Sequence, residues 1–162
     1  MIDKPDLLRE LRQHVTLDLE ALIRRQQDTQ QGATHTENRA EHAKDTRATE
    51  QGYLARGLAR RVEEIRQIAE MLSKLDLIDF DSQTPIGLTA LVVLREAEEP
   101  EIQTWWLVPG PAGIELRQQH ERVRTLTPAA PLGRALIGLQ VGDPGSFSTP
   151  RGTRSFEILS IA

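Results

Sequence analysis

The chain has 162 residues, no cysteine, and 24 acidic against 20 basic side chains, a formal net charge of −4. Its length holds one sizeable domain or two small ones, and the missing cysteines exclude disulfides, thiolate chemistry and cysteine-based zinc sites. The acidic balance argues against a free duplex-DNA binder, no apolar run approaches the ~20 residues that span a bilayer, and no basic segment precedes an apolar run at the start. A soluble cytoplasmic protein without a membrane partner is expected.

Apolar side chains recur at helical spacing from Leu7 to Ile23, stop, and resume from Tyr53 to Leu75. Between them, residues 24–52 contain no Val, Ile, Leu, Met, Phe, Trp or Tyr. This pattern predicts a long antiparallel helical hairpin, a coiled coil whose base is a packed seam and whose distal half is polar. Asp3 caps the first arm and Pro5 sits in its first turn, where a missing N–H costs nothing. Leu8, Leu11, Val15 and Leu22 share one face, widened by Leu7, Leu19 and Ile23. The arm runs to about Gln30, and Gly32-Ala33 is read as the turn, with the tip near 30–38. Thr34-His35-Thr36-Glu37 fits a capping box, so the return helix is expected from Thr34 or Thr36 to about Leu75. Leu54, Leu58, Val62, Ile65, Ala69 and Leu72 step along it like a coiled-coil seam, and Gly52 and Gly57 are read as points of close backbone approach.

The acidic stretch Asp76–Pro85 is read as a hinge, dividing a hairpin domain at 1–76 from a second domain at 77–162. Ile86–Leu94 is nearly continuous in apolar residues and reads as a central strand; Ile102–Val108 follows as the second. After a turn at Pro109–Gly113 come short strands around Ile114–Leu116 and Val123–Leu126. Pro131 to Gly138 is a short helix with Pro at its start and Gly at its end. Phe147 and Phe156–Ile161 form a closing hairpin. The expected fold class is therefore α+β: a helical hairpin, then a small antiparallel sheet domain with one short helix.

The segment Thr127–Asp143, TPAAPLGRALIGLQVGD, resembles the C-terminal domain of the bacterial Gre (GreA/GreB) transcript-cleavage factors. Pro131-Leu132-Gly133-Arg134-Ala135-Leu136, Gly138 and Val141-Gly142-Asp143 match the family's Ser-Pro-Leu-Gly-Arg-Ala-Leu-Leu-Gly and Val-Gly-Asp strings at the same spacing. Family members also carry an N-terminal coiled coil of this length, with a Gly-Asp-Leu-Ser-Glu-Asn-Ala-Glu tip; the run here is Ala33–Glu41. The resemblance implies an FKBP-like C-terminal domain that docks on RNA polymerase at the secondary-channel rim, through Ala129, Ala130, Pro131 and Leu132. It also implies that the coiled coil enters the channel, where Glu37, Asn38 and Glu41 at the tip assist the polymerase's own active site on backtracked RNA. Glu37 would share Mg²⁺ with the polymerase, with no tightly bound cofactor, and the nascent RNA 3′ end would be met indirectly. Any hydrolysis would belong to the polymerase, so the chain is expected to be a non-catalytic factor, and a monomer because an intramolecular hairpin buries its own seam.

Two departures bear on this. The family's tip Asp falls on Thr34, and a hydroxyl in place of a carboxylate removes a charge that a hard cation needs. Asp28 and Glu41 are nearby acids. The acidic residue and Ser that often precede the docking Pro are Ala129 and Ala130. Glu37 reads equally as a capping-box residue. Arg39, Lys44, Arg47, Arg56 and Arg60, with Arg61, form either a basic strip toward RNA or a solvated face, since Glu41, Asp45 and Glu50 are interleaved. Trp105 and Trp106 must point to opposite faces of a strand. No nucleophile–base pair, P-loop or G-x-S-x-G motif is present. The alternative function is a non-cleaving, channel-plugging transcription regulator of the same family. A prolyl isomerase is disfavoured by an aromatic content of 4%, and a freestanding scaffold by the polar distal half of the rod.

Overall fold

The computed structural model describes residues 2–37, 46–99 and 101–162, with the backbone alone at 33–37 and 46–49. The chain forms two compact units, one of Arg12–Glu70 and one of Met1–Leu11 with Met71–Ala162. The division expected at 76/77 lies inside the second of these, because the roots of both helices belong with the sheet.

Two helices, α1 (Lys4–Glu37) and α2 (Thr46–Ser73), make up the first half. Asp3 caps α1 as expected, accepting the Asp6 N–H at 3.4 Å on its side chain and the Leu7 N–H at 3.1 Å on its carbonyl. Within the Arg12–Glu70 unit, Val15, Leu58, Val62 and Ile65 are buried. Val15, Val62 and Ile65 lie in the halves of α1 and α2 remote from residues 38–45, as the seam of an antiparallel pair requires. The seam is shorter than its apolar pattern suggests: Leu54 is 54% exposed, and beyond Ile23 α1 has no apolar side chain larger than alanine to cover it.

The turn is also displaced. α1 runs without interruption through Gly32, Thr34 and on to Glu37. Gly32-Ala33 is therefore helix, and Thr34–Glu37 closes α1 where a capping box was expected to open α2. A single glycine lowers helix stability by about 1 kcal/mol but does not end a helix that continues to gain a hydrogen bond per residue. The connection lies in 38–45, outside the described residues.

The second half carries strands β1 (Leu91–Glu96), β2 (Ile102–Leu107), β3 (Glu115–Gln118), β4 (Glu121–Leu126), β5 (Pro144–Thr149) and β6 (Gly152–Ile161), with helix α3 (Pro131–Leu136) between β4 and β5. They form one six-stranded sheet in the order β3-β4-β2-β1-β6-β5. The sheet is mixed, which corrects the antiparallel expectation: β2 and β4 run parallel, Thr104 opposite Val123 through Leu107 opposite Leu126. A parallel pair needs a crossover of about a dozen residues, and 108–120, containing β3 on the outside, provides it. The sequence shows two short strands there but not their order in the sheet.

The first strand begins later than its apolar run. Ile86–Ala90 is not strand because Thr89 is left-handed, with φ of 71°, an outlier for a β-branched residue. Its surroundings hold it there. The buried Trp106 indole N–H donates to the Thr89 carbonyl at 3.2 Å, the Ile78 N–H donates to its hydroxyl at 3.0 Å, and its own N–H donates to the Leu107 carbonyl at 2.8 Å. One face of the sheet and α3 enclose the core of Val92, Leu94, Leu107, Leu126, Leu132, Leu136, Phe156 and Ile158. Trp106 is fully buried and Trp105 half-buried, as their adjacent positions on β2 require. The α1 root is fastened to the same unit: the buried Lys4 ammonium donates to the Ile78 carbonyl and lies 5.1 Å from the Phe80 ring centre. Burial pushes the Lys4 ammonium below its usual range, and the charge of Asp79 opposes the shift.

Candidate docking site

The start of α3 is built by a close approach. Thr127 and Pro128 turn the chain so that the Ala130 N–H bonds the Thr127 carbonyl at 3.1 Å, and Ala130 takes the N-cap position with extended backbone and no side-chain cap. Pro131 follows in the first turn, where its fixed φ suits the helix and its missing N–H has no partner to lose. Gly133 lies against this turn so tightly that a Cβ there would be 2.1 Å from the Thr127 carbonyl oxygen. The Arg134 guanidinium reaches back to the Ala129 carbonyl at 2.9 Å. Of the four predicted docking residues, Ala129 and Pro131 are exposed, Ala130 is half-buried, and Leu132 is a core residue at 5% exposure.

Beside this start the sheet face is uncovered, leaving a cavity of about 380 Å³. Its apolar wall comes from Trp105, Leu126, Pro131, Leu132 and Phe147. Its polar end is an ordered chain of bonds. Arg154 joins the buried Glu96 and the half-buried Glu99, each at 3.0 Å. Glu99 accepts from the Gln103 amide at 2.9 Å, and Gln103 accepts the Trp105 indole N–H at 3.1 Å. The hydrogen bonds to Glu96 and then Glu99 hold the Arg154 guanidinium above its usual range. Arg124 stacks over Trp105, 5.8 Å from the ring centre. None of these polar residues was singled out from the sequence. Glu96 and Arg154 are 58 positions apart, and only the pairing of β1 with β6 brings them together.

The predicted tip is different. Glu37 is the last residue of α1 by its backbone, while Asn38, Arg39, Glu41 and Lys44 lie outside the described residues. Arg47 lies in α2, and its side chain is likewise outside them. Arg56 stacks on Tyr53 at 4.8 Å, and Arg60 and Arg61 both bond Glu64, at 3.0 and 3.2 Å. On this stretch the basic residues make local pairs along their own helix. Among the described residues, no group of three or more His, Cys, Asp or Glu side chains is placed to hold a metal ion, and no helix is long and apolar enough to cross a membrane.

A helical hairpin ahead of a mixed α+β domain, with a short helix starting at a surface cavity, is a two-part α+β architecture. Residues 82–162 match the family model described as "Transcription elongation factor, GreA/GreB, C-term". The chain is 30% identical over 152 residues to transcription elongation factor GreA of Paracoccus denitrificans, covering 94% of this chain and 88% of that one. It is 30% identical over 97 residues to transcription inhibitor protein Gfh1 of Thermus thermophilus, covering 60% of each. The crystal structure of the Thermus thermophilus GreA factor homolog Gfh1 aligns with 93% of this chain and 94% of its own, at 23% identity and a TM-score of 0.39. The chain belongs to the GreA/GreB family of transcription elongation factors.

Proposed function

We propose that this chain binds RNA polymerase at the secondary-channel rim through the surface at the start of α3, and presents its helical hairpin to the channel to modulate elongation. The observation that carries this reading is similarity to an elongation factor along 94% of the chain, hairpin included. The exposed Ala129 and Pro131 are the docking contacts, and Leu132 supports them from the core. The chain acts in the cytoplasm as a monomer and holds no catalytic residue of its own; the hydrolysis belongs to the polymerase. Glu37, with Asn38 and Glu41, is the group that would share Mg²⁺ there, and its carboxylate would offer oxygen ligands to a hard cation. The nascent RNA is met indirectly, at its 3′ end.

The second reading keeps the docking and drops the cleavage, so that the hairpin blocks the channel. It is favoured by Thr34, which stands where the family has an acidic tip residue, and by the similarity to proteins named as transcription inhibitors. One experiment separates the two: RNA cleavage in purified, backtracked elongation complexes, with the natural chain and with Glu37→Ala. Shortened transcripts that vanish with the substitution establish cleavage stimulation. No cleavage, together with competition against an active cleavage factor, establishes the blocking role. Neither effect from a folded protein refutes both readings.

A further inference from the structure

Helix α3 has six residues and so extends only ~9 Å. It covers the apolar end of the sheet face, where Leu107, Leu126 and Ile158 meet Leu132 and Leu136. The neighbouring end of that face, from Trp105 across to Phe147, has no element over it among the described residues and lines the 380 Å³ cavity. A half-buried tryptophan and a half-buried phenylalanine facing each other across an open cavity leave apolar surface that a partner would cover.

The charges around the cavity are not equally available. Arg154 is spent on Glu96 and Glu99, and Glu99 also holds Gln103. Arg124 differs. Its guanidinium lies over the Trp105 ring and, among the described residues, bonds no carboxylate or carbonyl. Glu115, which feels its charge from the neighbouring strand, is bonded by Arg117 at 2.9 and 3.1 Å. Arg124 is thus a planar cation lying over an aromatic ring, and among the described residues no carboxylate or carbonyl takes its N–H groups. That is the geometry that recognises a carboxylate.

We propose that this cavity seats an acidic–apolar segment of the polymerase: an aliphatic or aromatic side chain between Trp105, Phe147 and Pro131, with an adjacent carboxylate on Arg124. The inference rests on the docking reading above and names the chemistry of the partner surface. Trp105 and Arg124 then act as one anchor, the ring providing apolar area and the guanidinium providing direction.

The test is the affinity of the full chain for purified core RNA polymerase, measured for the natural protein, Arg124→Glu, Arg124→Gln, Trp105→Ala and the control Arg117→Glu. Melting curves confirm that each variant is folded. Arg124→Glu and Trp105→Ala should each weaken binding roughly thirtyfold or more, as central anchors do. Arg117→Glu, which makes the same charge change on a neighbouring strand, should stay within about threefold, as rim charges do. Arg124→Gln should also lower the salt dependence of binding. Natural protein that binds, with Arg124→Glu and Arg124→Gln binding equally well, overturns the cavity proposal and leaves docking intact. Natural protein that fails to bind polymerase overturns the docking reading and the cavity proposal with it.

Discussion

Gly133→Ala tests the close approach that sets α3 on the sheet. An added Cβ would lie 2.1 Å from the Thr127 carbonyl oxygen, 3.0 Å from its carbon and 3.2 Å from the Pro128 Cα. All three are backbone atoms, so no side chain can swing away, and α3 must move by roughly 1 Å to restore ordinary contact. That shift pulls Leu132 and Leu136 from their core positions and stretches the Ala130–Thr127 hydrogen bond. Overpacking of this kind costs about 1–3 kcal/mol, and a backbone obstacle places it near the top, about 3 kcal/mol. Both tryptophans lie on β2 of the same unit, so guanidinium unfolding followed by tryptophan fluorescence reads the change directly. The internal contrast is Gly57→Ala. Among the described residues nothing lies within 4 Å of a Cβ added at that α2 position, or at Gly52, so neither is the close backbone approach expected from the sequence, and at Gly57 alanine should stabilise the helix by about 1 kcal/mol. A Gly133→Ala midpoint within about 0.5 kcal/mol of the natural protein would refute the reasoning, since it would mean that α3 is free to reposition.

Asp81 accepts bonds from the Thr84 hydroxyl and from the Gln83 and Thr84 N–H groups, which hold its carboxyl below the usual range. Its stabilising contribution is therefore complete above the unfolded-state value, about pH 4, and is lost as the pH falls further through the folded value. Asp81→Ala should lower stability at pH 7 and flatten the acid limb of a stability–pH curve; an unchanged acid limb would show that the turn does not depend on the carboxylate. Thr34→Asp should raise transcript cleavage in backtracked complexes if the missing tip carboxylate limits activity, and a chain that remains inactive would point to the blocking role.

The helical hairpin was legible in the sequence because its signal is local. The 3.6-residue spacing of Leu8, Leu11 and Val15, and of Leu58, Val62 and Ile65, needs no knowledge of the partner helix to be read. The place where the hairpin turns was not. A glycine and a T-x-x-E string carry the same local preference at the end of a helix as inside one, and helix propagation overrode both at Gly32 and Thr34. The apolar run Ile86–Leu94 misled in a similar way. Its composition suits a strand throughout, but the Trp106 indole and the Ile78 amide hold Thr89 in a left-handed conformation, and both lie more than ten residues away.

The sequence by itself determined the class, α+β with a helical hairpin first, and the short helix beginning at Pro131, whose Pro-Leu-Gly-Arg-Ala-Leu string marks the family. Pattern and motif are properties of neighbouring residues, and neighbours are adjacent in any fold. Only the tertiary structure decided the parallel pairing of β2 with β4, the place of Leu132 in the core beside the exposed Pro131, and the cavity where Arg154 is spent on Glu96 and Glu99 while Arg124 is not. These depend on which distant strands lie side by side, and that choice is made by the burial of one whole sheet face at once.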